Sequence, residues 1–119
     1  PGRIAKTLCF KKDDGCILVV AAGYVKIDNA KFKAEFGFRA SMLPPEDVLR
    51  LTGHAVGGVC PFAVPEGVPV FADVSLKKYE TVFPACGSSN SAIELKLSEL
   101  EEYAGIVKWV DVCKEINNS

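Results

Sequence analysis

The sequence predicts an α+β domain with a mixed β-sheet. Strand-like and helix-like stretches interleave without the regular strand–helix–strand rhythm of a parallel doubly wound sheet. "IAKTLCF" and "CILVVAA" pair as two strands around the turn-forming "KDDG". "DNAKFKAEFG" and "PPEDVLRLTG" carry helix starts and glycine ends. With 119 residues, the chain is long enough for one domain, 1–119, around one core.

The elements follow in order from local chemistry. In the first strand Ile4, Lys6, Leu8 and Phe10 share one face, and Ala5, Thr7, Cys9 and Lys11 share the other. The more apolar face thus carries an ammonium group in its middle. "CILVVAA" is apolar on both faces, as a central strand is. In "DNAKFKAEFG", Asp28 or Asn29 can cap a short helix and Gly37 can end it. Phe32 and Phe36 lie one turn apart and face the core. "FRASML" reads as a short strand. "PPEDVLRLTG" reads as a helix with prolines at its start, acids in its first turn and Gly53 at its end. "HAVGGVCPFAVPEGVP" is rich in Gly and Pro and poor in charge, which makes it a loop but not a flexible linker. "VPVFADVSL" and "YETVFPACG" read as strands around a short turn or helix, and "SAIELKL" as another strand. "SELEEYAG" reads as a helix capped by Ser98, and "VKWVDVC" as a final strand. There is no internal repeat or low-complexity segment.

Composition narrows the function classes. Hydrophobic residues make up 49% and charged residues 24%, and the net charge is -1. A broad nonspecific nucleic-acid surface needs excess Lys and Arg, although a local basic patch beside a small pocket does not. No apolar run reaches the ~18–20 residues that span a bilayer, and the N-terminus lacks a signal-peptide pattern. A cytoplasmic protein without membrane partners is expected. The five cysteines, 9, 16, 60, 86 and 113, are odd in number and form no CxxC pair. A disulfide framework or thiolate zinc site is not expected, and neither is any other metal or cofactor. All but Cys60 sit in stretches where a free Cys packs as a small hydrophobe.

Three features could carry chemistry. Lys6 could simply lay its stem along apolar surface and raise its amine to water. Desolvated at a pocket edge, it could instead hold an anion or polarise an ester carbonyl. In "GHAVGGVCPF", adjacent glycines with a proline shortly after make a tight turn. Such a turn is either purely structural or an anion-binding concavity of N–H groups. His54 and Cys60 could form a nucleophile pair, but no third orienting group is evident, and a surface histidine beside an inert thiol is the plainer reading. The residues alone do not name a substrate.

Three segments in order do more. "IAKTLCF", then "LRLTGHAVGGVCPF", then "ACGSSNSAIEL" resemble the YbaK-type family of aminoacyl-tRNA deacylases, whose fold also occurs as the editing domain of bacterial prolyl-tRNA synthetase. The resemblance runs from Ile4 to about Leu100. It implies a curved, barrel-like mixed sheet with flanking short helices. It also implies hydrolysis of the ester on a mischarged tRNA, foremost tRNA(Pro) carrying Cys or another small amino acid. The family's catalytic lysine matches Lys6. Its GxxxP loop matches Gly57, Gly58, Val59, Cys60 and Pro61. Its later turn matches Gly87 and Ser88, with Asn90 where many members have a second glycine. These would bind the aminoacyl end, helped by a prolyl-tRNA synthetase or an elongation factor. Deacylation would use a positioned water helped by the free ribose hydroxyl or, in cysteine-specific members, the substrate's own thiol. Family members carry a further stretch before "GRIAKTL", so the N-terminal part of the family domain is expected to be missing here. Cys60 stands where many members have Ser or Thr, which leaves the amino acid removed undefined. A noncatalytic aminoacyl-tRNA or synthetase-binding module of the same fold is the alternative.

Overall fold

The computed structural model describes residues 4–53, 67–84 and 94–116. Strands β1 (Ile4–Lys12) and β2 (Gly15–Ala22) form the expected antiparallel hairpin, with Lys12 opposite Gly15. Asp13 at its tip takes φ 51°, a left-handed conformation that Asp tolerates. Every residue from Cys16 to Ala22 is buried, so β2 is a central strand as its composition requires.

Strand β3 (Val25–Ile27) leads into helix α1 (Asn29–Phe36). Asp28 rather than Asn29 is the cap, accepting from the N–H groups of Ala30 at 3.0 Å and Lys31 at 3.1 Å. Gly37 ends the helix at φ 82°, where a side chain would be strained. Helix α2 (Pro45–Thr52) has Pro44 at its cap position, Glu46 and Asp47 in its first turn and Gly53 at its end. Strand β4 (Val70–Asp73), a 3-10 turn over Val74–Lys78 and strand β5 (Thr81–Pro84) follow. Strand β6 (Leu95–Lys96) runs into helix α3 (Leu97–Ala104), and strands β7 (Ile106–Val110) and β8 (Cys113–Glu115) close the chain.

Six strands form one curled sheet in the order β6-β5-β1-β2-β4-β7, and β3 pairs with β8 in a small second sheet. β1–β2 and β5–β6 are antiparallel, while β1–β5, β2–β4 and β4–β7 are parallel, so the sheet is mixed as predicted. Helix α1 packs through Phe32, which is fully buried. Its ring lies 4.9 Å from that of Phe10, 4.6 Å from Phe36 and 5.6 Å from Phe38. This cluster anchors the helix on the Leu8–Phe10 face of β1.

Three local expectations change. "FRASML" is not a strand: it makes one bridge, Met42 to Phe10, beside a bond from the Lys11 N–H to the Ser41 carbonyl at 2.8 Å. It takes up the edge of β1 beyond the two residues that β5 pairs, and Pro44 and Pro45 have no N–H with which to extend a ladder. Helix α3 starts earlier than Ser98. Lys96 is its cap residue, and Glu99 accepts from the Lys96 N–H at 2.8 Å. "VKWVDVC" breaks into β7 and β8, because Val112 spends both backbone groups outside the sheet. Its N–H goes to the Asp73 carboxylate at 2.9 Å and its carbonyl accepts from Asp28 at 2.8 Å. In "SAIELKL" the described part is the strand Leu95–Lys96, and the rest lies outside the described residues.

Candidate functional site

Lys6 is the third residue of β1, opposite Ala21, and is half-buried. Its neighbours on that face, Leu8 and Phe10, form with it one wall of a cavity of about 290 Å³. Lys26 and Ile27 of β3, Asn29 at the start of α1, and Ala40 and Met42 form the rest. The ammonium lies where the alternating pattern puts it, on an apolar wall. Its stem packs along that wall, and its Nζ donates to the Val25 carbonyl. A lysine ammonium carries three donors, so this bond orients the group and leaves protons for a ligand.

Val25 is held in turn. Val25 pairs with Glu115 and Ile27 with Cys113, across the β3–β8 ladder. At the ends of β3, Tyr24 accepts from the Ile116 N–H at 3.2 Å and Asp28 donates to Val112. β3 is three residues long, too short to show a strand period. Neither it nor the cavity residues Lys26, Asn29, Ala40 and Met42 were signalled by the sequence.

Of the other site residues expected from sequence, Gly57, Gly58, Val59, Cys60, Pro61, Gly87 and Ser88 lie outside the described residues, as do His54 and Asn90. The nearest described landmarks are Gly53, which ends α2, and Pro84, which pairs with Ala5 beside Lys6. The thiols of Cys9, Cys16 and Cys113 are free and buried. Burial, with Cys16 beside it, pushes Cys9 up to about 12. Burial, with the Asp73 carboxylate beside it, does the same for Cys113, also about 12. These thiols are packing groups and not nucleophiles at neutral pH. Among the described residues no group of three or more His, Cys, Asp or Glu side chains is placed to hold a metal ion. No described helix is long and apolar enough to cross a membrane.

A second hollow, about 530 Å³, is lined by Tyr24, Val25 and Asp73 with charged residues around them. It is larger and more charged. Lys31 pairs with Asp111 at 3.1 Å, and Lys78 with Glu115 at 3.3 Å. The bond to Asp111 holds Lys31 above the ordinary lysine range. Asp73 at its edge is buried, and its two oxygens accept from Ser75 and Val112, each at 2.9 Å. Lys31 and Lys78 therefore already have carboxylate partners, whereas Lys6 is held by a neutral carbonyl on an apolar wall. The smaller cavity is the better place for chemistry on a ligand.

Residues 1–103 match the model of the aminoacyl-tRNA editing domain. The chain is 56% identical over 114 residues to the uncharacterised protein YwhH of Bacillus subtilis (strain 168), covering 95% of this chain and 73% of that one. It is 29% identical over 111 residues to the proline--tRNA ligase of Thermosipho melanesiensis, covering 92% of this chain and 19% of the ligase. Among solved structures it resembles a provisionally assigned trans-editing enzyme for prolyl tRNA synthetase. The identity is 29%, the TM-score is 0.84, and the match covers 95% of this chain and 71% of that one. The curled mixed sheet with three short helices is the YbaK-like editing fold.

Proposed function

The chain belongs to the aminoacyl-tRNA editing domain family, and on that premise we propose that it is a deacylase acting in trans on mischarged tRNA. The reaction is hydrolysis of the ester between an amino acid and the terminal ribose. The ester C–O bond breaks, the amino acid leaves as its carboxylate and the ribose hydroxyl is regenerated. The observation that carries the reading is the placement of Lys6: a half-buried ammonium, oriented by the Val25 carbonyl, on the wall of an otherwise mostly apolar cavity. In that setting a fixed positive charge stabilises the oxyanion that develops when the ester carbonyl is attacked. It can equally grip the terminal phosphate of the tRNA.

No nucleophilic side chain is required. Water attacks the ester carbonyl, helped by the neighbouring ribose hydroxyl. With a cysteinyl substrate its own thiol can attack instead, releasing the ribose hydroxyl and a cyclic thioester that water then opens to the carboxylate. The protein contributes position and charge. The backbone of Gly57, Gly58, Val59, Cys60 and Pro61, with Gly87 and Ser88, is assigned to the aminoacyl end. Support for Gly87 and Ser88 comes from Pro84, a few residues before them, which pairs with Ala5 next to Lys6. The substrate is tRNA(Pro) carrying Cys or another small amino acid, and the protein acts in the cytoplasm as a single domain, 1–119. Prolyl-tRNA synthetase or an elongation factor supplies the affinity that a net charge of -1 does not.

The test is single-turnover deacylation of tRNA(Pro) charged in turn with Cys, Ala, Ser and Pro. Hydrolysis of a wrong ester with Pro-tRNA spared supports the reading and names the amino acid. Failure on every ester, with tRNA still bound, would leave a binding module of the same fold.

A further inference from the structure

Asp73 is the one buried carboxylate among the described residues, and its place in the fold points back to Lys6. It lies at the end of β4 and is 1% exposed. One oxygen accepts from the Ser75 N–H, and the Ser75 hydroxyl accepts from the Ala22 N–H at 3.2 Å. The other oxygen accepts from the Val112 N–H at 2.9 Å. Asp73 therefore ties the ends of β2 and β4 to the corner between β7 and β8.

That corner sets β3. Val112 accepts from Asp28 at 2.8 Å, and Cys113–Glu115 pair with Val25–Ile27. β3 is held from this one ladder, and the Val25 carbonyl that orients Lys6 is part of it.

We infer that Asp73 is a positioning residue for Lys6: by fixing Val112 it fixes the β3–β8 ladder, and so the Val25 carbonyl that aims the ammonium into the cavity. The inference deepens the editing reading and rests on it for its catalytic consequence, but not for its structural one. A buried carboxylate accepting two backbone N–H groups cannot be replaced by an amide without turning one acceptor into a donor. An ammonium released by even about 1 Å loses much of its effect on a developing charge, on the order of tenfold to a hundredfold in rate.

Two readouts on the full chain test this, using Asp73→Asn, with Asp73→Ser as a second variant should the first not fold. The first is pulse labelling of lysines with an amine-reactive ester, read by mass spectrometry. Lys6 should label at least about fivefold faster in the variant, with Lys12 and Lys96 unchanged, because only a change in local opening alters the accessible fraction. The second is deacylation per folded molecule, where kcat should fall by about tenfold or more with KM within about twofold. A folded variant with unchanged Lys6 labelling overturns the inference, whatever the activity. So does faster Lys6 labelling with unchanged kcat, since the ammonium would then not depend on its latch. If the unsubstituted protein deacylates no ester, the editing reading fails while the labelling still decides the role of Asp73.

Discussion

The Lys6 cavity and the larger hollow lined by Val25 differ in a way that size does not capture. The larger, near Tyr24 and Asp73, is crossed by lysine–carboxylate pairs, Lys31 with Asp111 and Lys78 with Glu115. These pairs are largely exposed, and water screens them. Their charges already have partners, and a ligand would have to displace them. The smaller hollow sets one oriented ammonium against Leu8, Phe10, Ile27 and Met42. There a charge is only partly solvated and its remaining protons can face a substrate. The difference teaches that a charge held by a neutral acceptor on apolar surface says more about function than a greater volume lined with satisfied ions.

The packing behind the Phe10 wall of the Lys6 cavity should matter most to the fold. Phe32 is fully buried among Phe10, Phe36 and Phe38. Phe32→Ala should cost about 3–5 kcal/mol in urea denaturation, because a large ring leaves a cavity that its neighbours fill only in part. A loss below about 1 kcal/mol would mean that the α1 face is not the support of the cavity wall.

A smaller effect should appear with pH. Cys9 and Cys113 are pushed up to about 12, first by burial. In the unfolded chain a thiol titrates near 8.5 (about the model-peptide value). A raised folded value contributes stability that is complete below the unfolded value and is lost as pH rises toward the folded one. The urea midpoint should therefore fall as pH rises from about 8.5 toward about 12, and fall less steeply in Cys113→Ala. At neutral pH neither thiol should react with iodoacetamide in the folded protein, and mass spectrometry after brief alkylation checks this. Rapid alkylation of Cys113 would open the larger hollow as a reactive site and weaken the contrast.

The smallest effect is expected at the paired lysines. Lys31→Ala removes an exposed ion pair with Asp111 and a bond to the Cys113 carbonyl, and the thermal midpoint should move by only a few degrees. A larger drop would show that the Asp111 corner depends on it.

What could be read from sequence was local. The hairpin, α1 and α2 carry their instructions in adjacent residues: "KDDG", Asp28 with Gly37, and paired prolines with Gly53. Lys6 was legible as a misfit within an alternating strand. The break between β7 and β8 was not, because it is made by Asp73, far away in the chain, taking the Val112 N–H. Nor was the far wall of the cavity, since β3 has only three residues and gains its identity from β8. Met42 reaches the cavity through a single bridge to Phe10, which no periodicity announces. The resemblance supplied the Gly57–Pro61 loop and the Gly87–Ser88 turn, and these lie outside the described residues.

The central claim is that the Lys6 cavity, and not the larger hollow, performs the chemistry. Its most direct test is kcat/KM for deacylation of the preferred mischarged tRNA by Lys6→Met beside Lys78→Met. Loss of a group that stabilises developing charge predicts a fall of about 100-fold or more for Lys6→Met, with Lys78→Met within about twofold of the unsubstituted protein. Full activity in Lys6→Met, or a comparable fall in Lys78→Met alone, would contradict it.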